Sequence, residues 1–357
     1  MTLRSWLPAI LLCPVIFGAA SLSTVTDVCN LVNTAVARHW NDGQLSKALH
    51  KLKLSEGLEQ HVMEELESIF PGPKTSEELQ RLHDESQTLK EATDIPNFPA
   101  PGPMPDYAER RRILTEAGKN SMSYATSMPD FLCTQTVRRF EDWNGKENWD
   151  LKDTLVIKLS YLDHVEDYKL LTVNGHQTKL NYENLRGAIT EGEFVSMLVN
   201  LFGSHAEFFW DHWTMLRKRP AYVFRFQIKQ KDSNYRMDFG MEGLTRQSAV
   251  AGQHGFVYVD RETNRVVRVI SEADTLPPDF PVRSSRTVLD YDFVDISGRQ
   301  FLLPLHADAR MATIQVKTRN VMDFTAYRKF AGESTITYEA LPDDPAKEKD
   351  KPPPVKK

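Results

Sequence analysis

The hydrophobic period of this chain changes at Phe131, and that change constrains the fold more than any single motif. Before it, apolar residues recur at helical spacing. Leu31, Val32, Ala35, Val36 and His39 share one helix face, and Leu58, Val62, Leu66 and Ile69 share another. After it they alternate. Leu155, Ile157, Leu159 and Tyr161 interleave with Thr154, Val156, Lys158 and Ser160, and Tyr222, Phe224, Phe226 and Ile228 interleave with Val223, Arg225, Gln227 and Lys229. Successive side chains of a strand point to opposite faces, so each segment has one dry face and one wetter face. That pattern belongs to an antiparallel sheet covered on one side.

Turn signals join these strands in sequence. GFVYVDRETNRVVRVI (255–270) is two strands around a short polar turn, and residues 287–311 are a second hairpin in which Gly298 supplies the bend. VMDFTAYRKF (321–330) and STITYE (334–339) complete a set of about eleven strands. Consecutive hairpins predict a meander, and a sheet of that size curls, leaving a concave face. The expected class is α+β: a large curved antiparallel sheet, or half-barrel, with a helical plug and an N-terminal helical segment.

The flanking segments divide the chain. Residues 1–20 have Arg4, an apolar run from Trp6 to Ala20, and the small residues Gly18, Ala19 and Ala20. This is the layout of a cleaved export signal, so a periplasmic or secreted protein cut after Ala20 is expected. The run is short for a membrane span and contains Pro8 and Pro14, and Leu12 is too bulky for a lipoprotein signal at Cys13. An uncleaved anchor is the alternative. Residues 21–95 form the helical segment. There PGPK (71–74) is a break, and Thr75 with Glu78 reads as a capping box opening a helix through Leu79, Leu82 and Leu89. A Pro-rich linker (96–106) follows, then an amphipathic helix through Ile113, Leu114, Ala117, Ser121, Tyr124 and Met128. The sheet domain spans 107–340, and the charged, Pro-rich tail 341–357 is expected to be disordered. The helical segment either stands ahead of the sheet domain or wraps against it.

One insertion interrupts the strands. EGEFVSMLVNLF (191–202) puts Phe194, Met197, Leu198, Leu201 and Phe202 on one helical face, ended by Gly203. Ser204 and Glu207 read as a capping box opening a second helix, HAEFFWDHW, and the pair is expected to lie across the concave side as a plug.

Enzymatic motifs do not emerge. There is no Gly-x-Ser-x-Gly elbow, phosphate loop, dinucleotide fingerprint or His-Glu-x-x-His. His205, Glu207, Asp211 and His212 lack an i, i+4 histidine pair and a third fixed ligand, so they read as the exposed edge of a helix, with no metal and no cofactor expected. Asp290 and Asp292 read as a solvated strand face paired with arginine or lysine. The net charge of −5, without a basic stripe, argues against nucleic acid. Cys29 and Cys133 either pair as a disulfide or stay buried as core residues, and Cys133 has no neighbouring base to make it catalytic.

The order signal, helix and about eleven antiparallel strands with a helical insertion resembles the periplasmic lipoprotein carriers of the LolA/LolB type. GFVYVDRETNRVVRV resembles a hairpin of outer-membrane lipoprotein-sorting proteins. PDFLCTQTVRRFEDW, GEFVSMLVNLF, VYVDRETNRVVRV, DFPV, LDYDFV and FLLP together resemble an uncharacterised family of secreted bacterial proteins with that topology, over residues 108–340. The resemblance implies a half-barrel whose apolar hollow holds acyl chains, with no catalytic residue. The leading expectation is an exported binding protein for a lipid or acylated protein, with Phe194, Leu198, Phe208, Phe209, Trp210, Trp213, Phe224 and Phe226 as the candidate lining and 191–213 moving aside to admit the chain. The aromatic run equally fits an ordinary filled core. The alternative is then a protein–protein or envelope-assembly module that makes its contacts through residues 24–98. A hydrolase or metal enzyme built on His205 or His212 is the weakest reading.

Overall fold

The computed structural model describes residues 22–95, 102–145, 149–163, 165–182, 185, 196–239 and 247–330. The expected signal, most of the linker, the strand at 334–339 and the C-terminal tail lie outside them.

Four helices come first: α1 (Val25–Ala37), α2 (Asp42–Leu49), α3 (Gln60–Ile69) and α4 (Pro73–Ser86). They enclose a core of their own, with Val28, Cys29, Val32, Leu45, Val62, Leu66, Leu79 and Leu82 inside. Reciprocal capping boxes start α1 (Thr24 with Asp27) and α2 (Asn41 with Gln44). The capping box expected at Thr75 and Glu78 does not form. Pro73 takes the first helical position, and Asp42 reaches over from α2 to accept from the Lys74 and Thr75 backbone amides at 3.1 and 2.8 Å. A carboxylate at a helix start satisfies amides that have no partner within the helix.

Helix α5 (Tyr107–Ser127) leads into the sheet. Its strands are β1 (Phe131–Asp142), β2 (Asp150–Leu162), β3 (Val165–Val173), β4 (His176–Gln177), β5 (Glu207–Leu216), β6 (Arg219–Ile228), β9 (Gly252–Asp260), β10 (Val266–Asp274), β11 (Val282–Ile296), β12 (Arg299–Thr313) and β13 (Lys317–Lys329). Strands β7 (Arg236–Phe239) and β8 (Gln247–Val250) make a separate hairpin, and α6 (Ser196–Gly203) lies between β4 and β5. The eleven strands follow the order β4-β3-β2-β1-β13-β12-β11-β10-β9-β6-β5, and every described pairing in the sheet is antiparallel.

This order departs from the expected simple meander. The first strand pairs with the last, β1 against β13, with Gln135 opposite Phe324 and Val137 opposite Met322. The ends of the sheet are therefore β4 and β5, and it does not close into a barrel. It does curl. The Tyr124 hydroxyl on α5 lies within electrostatic reach of Glu166 on β3 and Arg265 at the foot of β10, strands six places apart. Gly255 in β9 permits one close approach: at φ +150° an added Cβ would stand 2.0 Å from the Ile270 carbonyl oxygen.

The sheet was expected to be covered on one side, and it is covered on both. Helices α5 and α6 lie on the inner face, where Cys133, Val137, Ile157, Tyr222, Phe224, Val257, Leu289 and Phe324 join one continuous core. Helices α3 and α4 lie on the outer face, and this is why Val223, on the expected wetter side, and its cross-strand neighbour Tyr258 have no exposed surface. The helical segment thus packs against the domain. Cys29 belongs to the helical core and Cys133 to the sheet core, and both are buried.

Candidate functional site

The expected helix HAEFFWDHW is strand β5. Its pairing with β6 sets Phe208 opposite Phe226, Phe209 opposite Arg225, Trp210 opposite Phe224 and Trp213 opposite Tyr222. A bulge between Trp210 and His212 adds one residue, so Trp210 and Trp213 both face inward although three positions separate them. The turn closing this hairpin, Arg217-Lys218, has both residues at positive φ, 49° and 65°. Such a turn suits strand twist but usually uses Asn-Gly. Here the Arg217 guanidinium is clamped, donating to the Tyr291 carbonyl at 2.6 Å and to Asp290 at 2.9 Å.

On the inner face the aromatics form one cluster. Trp210 meets Trp213, Phe224 and Tyr222 edge-on, with ring centroids 5.8, 5.6 and 6.3 Å apart, and Trp213 lies 4.5 Å from Tyr222. Phe208 stacks on Phe202 of α6 at 5.5 Å. Phe224, Phe226 and Leu198 are fully buried, whereas Phe208, Trp210, Trp213, Met197 and Phe202 are half-buried at the seam between α6 and the sheet end at β5. Trp213 marks the rim, where its indole N–H donates to the Pro103 carbonyl at 3.2 Å and Arg261 stands 5.3 Å over its ring. Helix α6 is pinned by a polar chain: Asn200 donates to Gln253 at 2.8 Å, and Gln253 donates to Ser271 at 3.0 Å. Beside it, Gly118 on α5 makes room for the Phe202 ring, which a Cβ would approach to 3.2 Å.

The remaining candidates fall elsewhere. Phe194 lies outside the described residues. Phe209 points to the outer face, 48% exposed, beside an open hollow of about 440 Å³ lined also by Arg225, Gln227, His254 and Asp274. His205 is exposed and Glu207 pairs with Lys229 at 2.8 Å.

His212 turns outward, against α3. It bonds Asp211 at 2.7 Å and the buried Glu64 at 3.2 Å, and Glu64 also accepts from the Tyr258 hydroxyl. Burial disfavours a charged imidazole, but the two carboxylates outweigh it and push His212 up to about 9. Asp290 was expected on a solvated face and is buried instead, held down to about 2 because Arg268 and Arg217 outweigh the cost of its burial. The same outer face carries Arg268 opposite Glu67 of α3, and Arg310 and Arg319 opposite Asp84 and Glu77 of α4. Sequence reasoning missed this network. Its only signal was the run of acidic residues on α3 and α4 facing arginines at alternate strand positions.

No described helix is long and apolar enough to cross a membrane. No protein-family model matches the chain, and no curated protein does. Among solved structures, the chain is similar to a domain from Vibrio parahaemolyticus described as an outer membrane lipoprotein-sorting protein. The identity is 10% and the TM-score 0.30, covering 63% of this chain and 95% of that one. It is also similar to a DUF1329 family protein from Desulfovibrio piger, at 12% identity and TM-score 0.31, covering 63% of this chain and 94% of that one.

Proposed function

We propose that this is an exported protein that binds a hydrophobic ligand, a lipid or the acyl chain of a lipoprotein, on the inner face of the curled sheet. The observation that carries this reading is the half-buried aromatic seam. Phe208, Trp210 and Trp213 stand at the open end of the sheet beside Met197 and Phe202 of a short apolar helix, and they continue inward into fully buried Leu198, Phe224 and Phe226. Apolar binding sites are lined in this way, by aromatic and aliphatic side chains with few polar groups. Burying one methylene of an acyl chain contributes about 0.8 kcal/mol, so a chain of ordinary length needs no charged contact to be retained.

In this mechanism α6 is the moving part. It is held by apolar packing and by the Asn200–Gln253–Ser271 chain, and swinging it off the seam opens a path from Trp213 at the rim to Phe226 inside. The N-terminal helices play no part in uptake, since they occupy the outer face.

Native mass spectrometry with solvent extraction tests the reading, on protein purified from the exported fraction without detergent. Co-purifying lipid mass that disappears in Phe208→Glu and Trp210→Lys, with both variants folded by circular dichroism, is the expected result. A protein that stays free of added mass after incubation with lipid vesicles overturns it.

A further inference from the structure

Gln135 sits in the middle of β1 on the inner face, with Ile157 and Phe324 in register on either side and Cys133 and Val137 two positions away along the strand. All four neighbours belong to the apolar core, and Gln135 itself has no exposed surface. Neither its Nε2 nor its Oε1 has a hydrogen-bond partner. The Tyr124 hydroxyl, brought to the same face by α5, is likewise buried without a partner. Gln253, the other buried glutamine of this face, is bonded at both ends of its amide.

A buried amide with no partner is costly, and leucine or methionine would fill the same space without that cost. Buried polar groups that persist unpaired call for a role. We propose that Gln135, together with Tyr124, recognises the polar head of the ligand, and that the ligand is a neutral amphiphile with an ester or hydroxyl head, such as an acylglycerol. The proposal rests on the inner face being the ligand-binding face. The amide N–H donates to an ester carbonyl and its oxygen accepts from a glycerol hydroxyl, and the tyrosine hydroxyl offers a further polar group on the same face. An ionised fatty acid fits poorly. The buried cation two residues beyond Val137 on β1, Arg139, is already held by Asp153 through bonds of 2.7 and 2.6 Å, and Arg265, the cation within reach of the Tyr124 hydroxyl, is offset there by Glu166, so neither is a free counter-charge for a carboxylate.

The test uses delipidated full-length mature protein and three radiolabelled probes, 1-monooleoylglycerol, oleate at pH 8 and hexadecane, each followed by retention through gel filtration. Wild type should hold monooleoylglycerol about tenfold more tightly than oleate. Gln135→Leu should lose about tenfold in monooleoylglycerol affinity, keep its hexadecane affinity, and melt about 2 °C higher, because an orphan amide has been removed. Gln135→Met and Tyr124→Phe give the same comparison should the leucine variant not fold. A Gln135 variant that melts higher yet holds monooleoylglycerol as tightly as wild type makes Gln135 a tolerated orphan and overturns the proposal. Hexadecane retention without preference for monooleoylglycerol also overturns it while leaving the binding face intact. Failure to retain any of the three probes overturns the binding face itself, and the proposal with it.

Discussion

Glu64 on α3 and His212 on β5 are 148 residues apart in the chain and meet at 3.2 Å, the carboxylate wholly shut off from solvent. This contact ties the N-terminal helices to the sheet, and it titrates. His212 is raised from its ordinary 6.5 to about 9, so its contribution is fully present below 6.5 and is lost as pH rises through 9. Glu67, one turn along α3, is raised by burial from 4.5 to about 7 against the pull of Arg268. A carboxylate held protonated in the fold likewise loses stability as pH rises, here between 4.5 and 7. Asp290 acts in the opposite sense, losing stability only as pH falls below 3.8 toward about 2. Unfolding free energy is therefore expected to peak near pH 5 and to fall by on the order of 1–3 kcal/mol between pH 6.5 and 9. Urea titrations at pH 5, 7 and 9 measure this, and His212→Gln should flatten the alkaline limb. Equal wild-type stability at pH 5 and 9 would remove the argument.

Arg268 is the most heavily engaged cation of the outer face. It contacts Asp290 at 2.8 and 3.1 Å and Glu67 at 3.6 Å, and its guanidinium stands 5.7 Å from the Tyr258 ring. Removing one member of a buried ion pair leaves the other uncompensated, which costs about 3–5 kcal/mol. Arg268→Met is predicted to fall in the lower half of that range, because Arg217 still faces Asp290 at 2.9 Å. Adding Asp290→Leu should recover part of the loss. A double-mutant cycle in urea would show it, and strictly additive losses would mean that the two residues do not act as a pair.

The sheet was legible in the sequence because alternation is a local property. Leu155 to Tyr161 and the hairpin at 255–270 form the strands that their periods announce. What failed depended on distant partners. The run from Phe208 to Trp213 fits a helix as well as a strand over so few residues, and the long pairing with β6 decides for the strand. The start of α4 could not be read from Thr75 and Glu78, since its cap comes from Asp42, in another helix. Asp290 looked solvated because nothing near it in sequence announces that α3 lies on top. The same cover dries the outer face of β6 and β9 at Val223 and Tyr258, so there alternation no longer distinguishes inside from outside. The aromatics of the candidate seam were visible as a cluster, but only the bulge at Asp211 assigns Trp213 inward and His212 outward.

Gly255 is predicted to be the least replaceable glycine of the sheet. Alanine there must hold φ at +150° and place its Cβ 2.0 Å from the Ile270 carbonyl oxygen, which is backbone and cannot swing away. A loss of about 3 kcal/mol or more is expected, enough to leave little folded protein at 37 °C. Gly145, at φ +67° with open space around it, is the control, and alanine there should cost about 1 kcal/mol. Thermal melts of the two variants, made side by side, compare backbone collision with conformational preference alone. Similar midpoints would mean that β9 and β10 separate easily at Gly255.

The two buried cysteines give the last prediction. Burial raises the Cys29 thiol to about 11, so almost none of it is thiolate at neutral pH, and Cys133 is equally shielded beneath α5 and α6. Thiol reagents act on the thiolate, so both should react slowly in the folded protein. Because Cys29 and Cys133 lie in separate cores, unfolding without any reductant should expose both to labelling at once. Mass spectrometry of iodoacetamide-treated protein, native and in 6 M guanidinium, reads the two states. Cys29 and Cys133 modified only after reductant is added would show a covalent link between the helical unit and β1. In that case a covalent tie would add to the contacts of Glu64, Glu67, Glu77 and Asp84 between α3, α4 and the sheet.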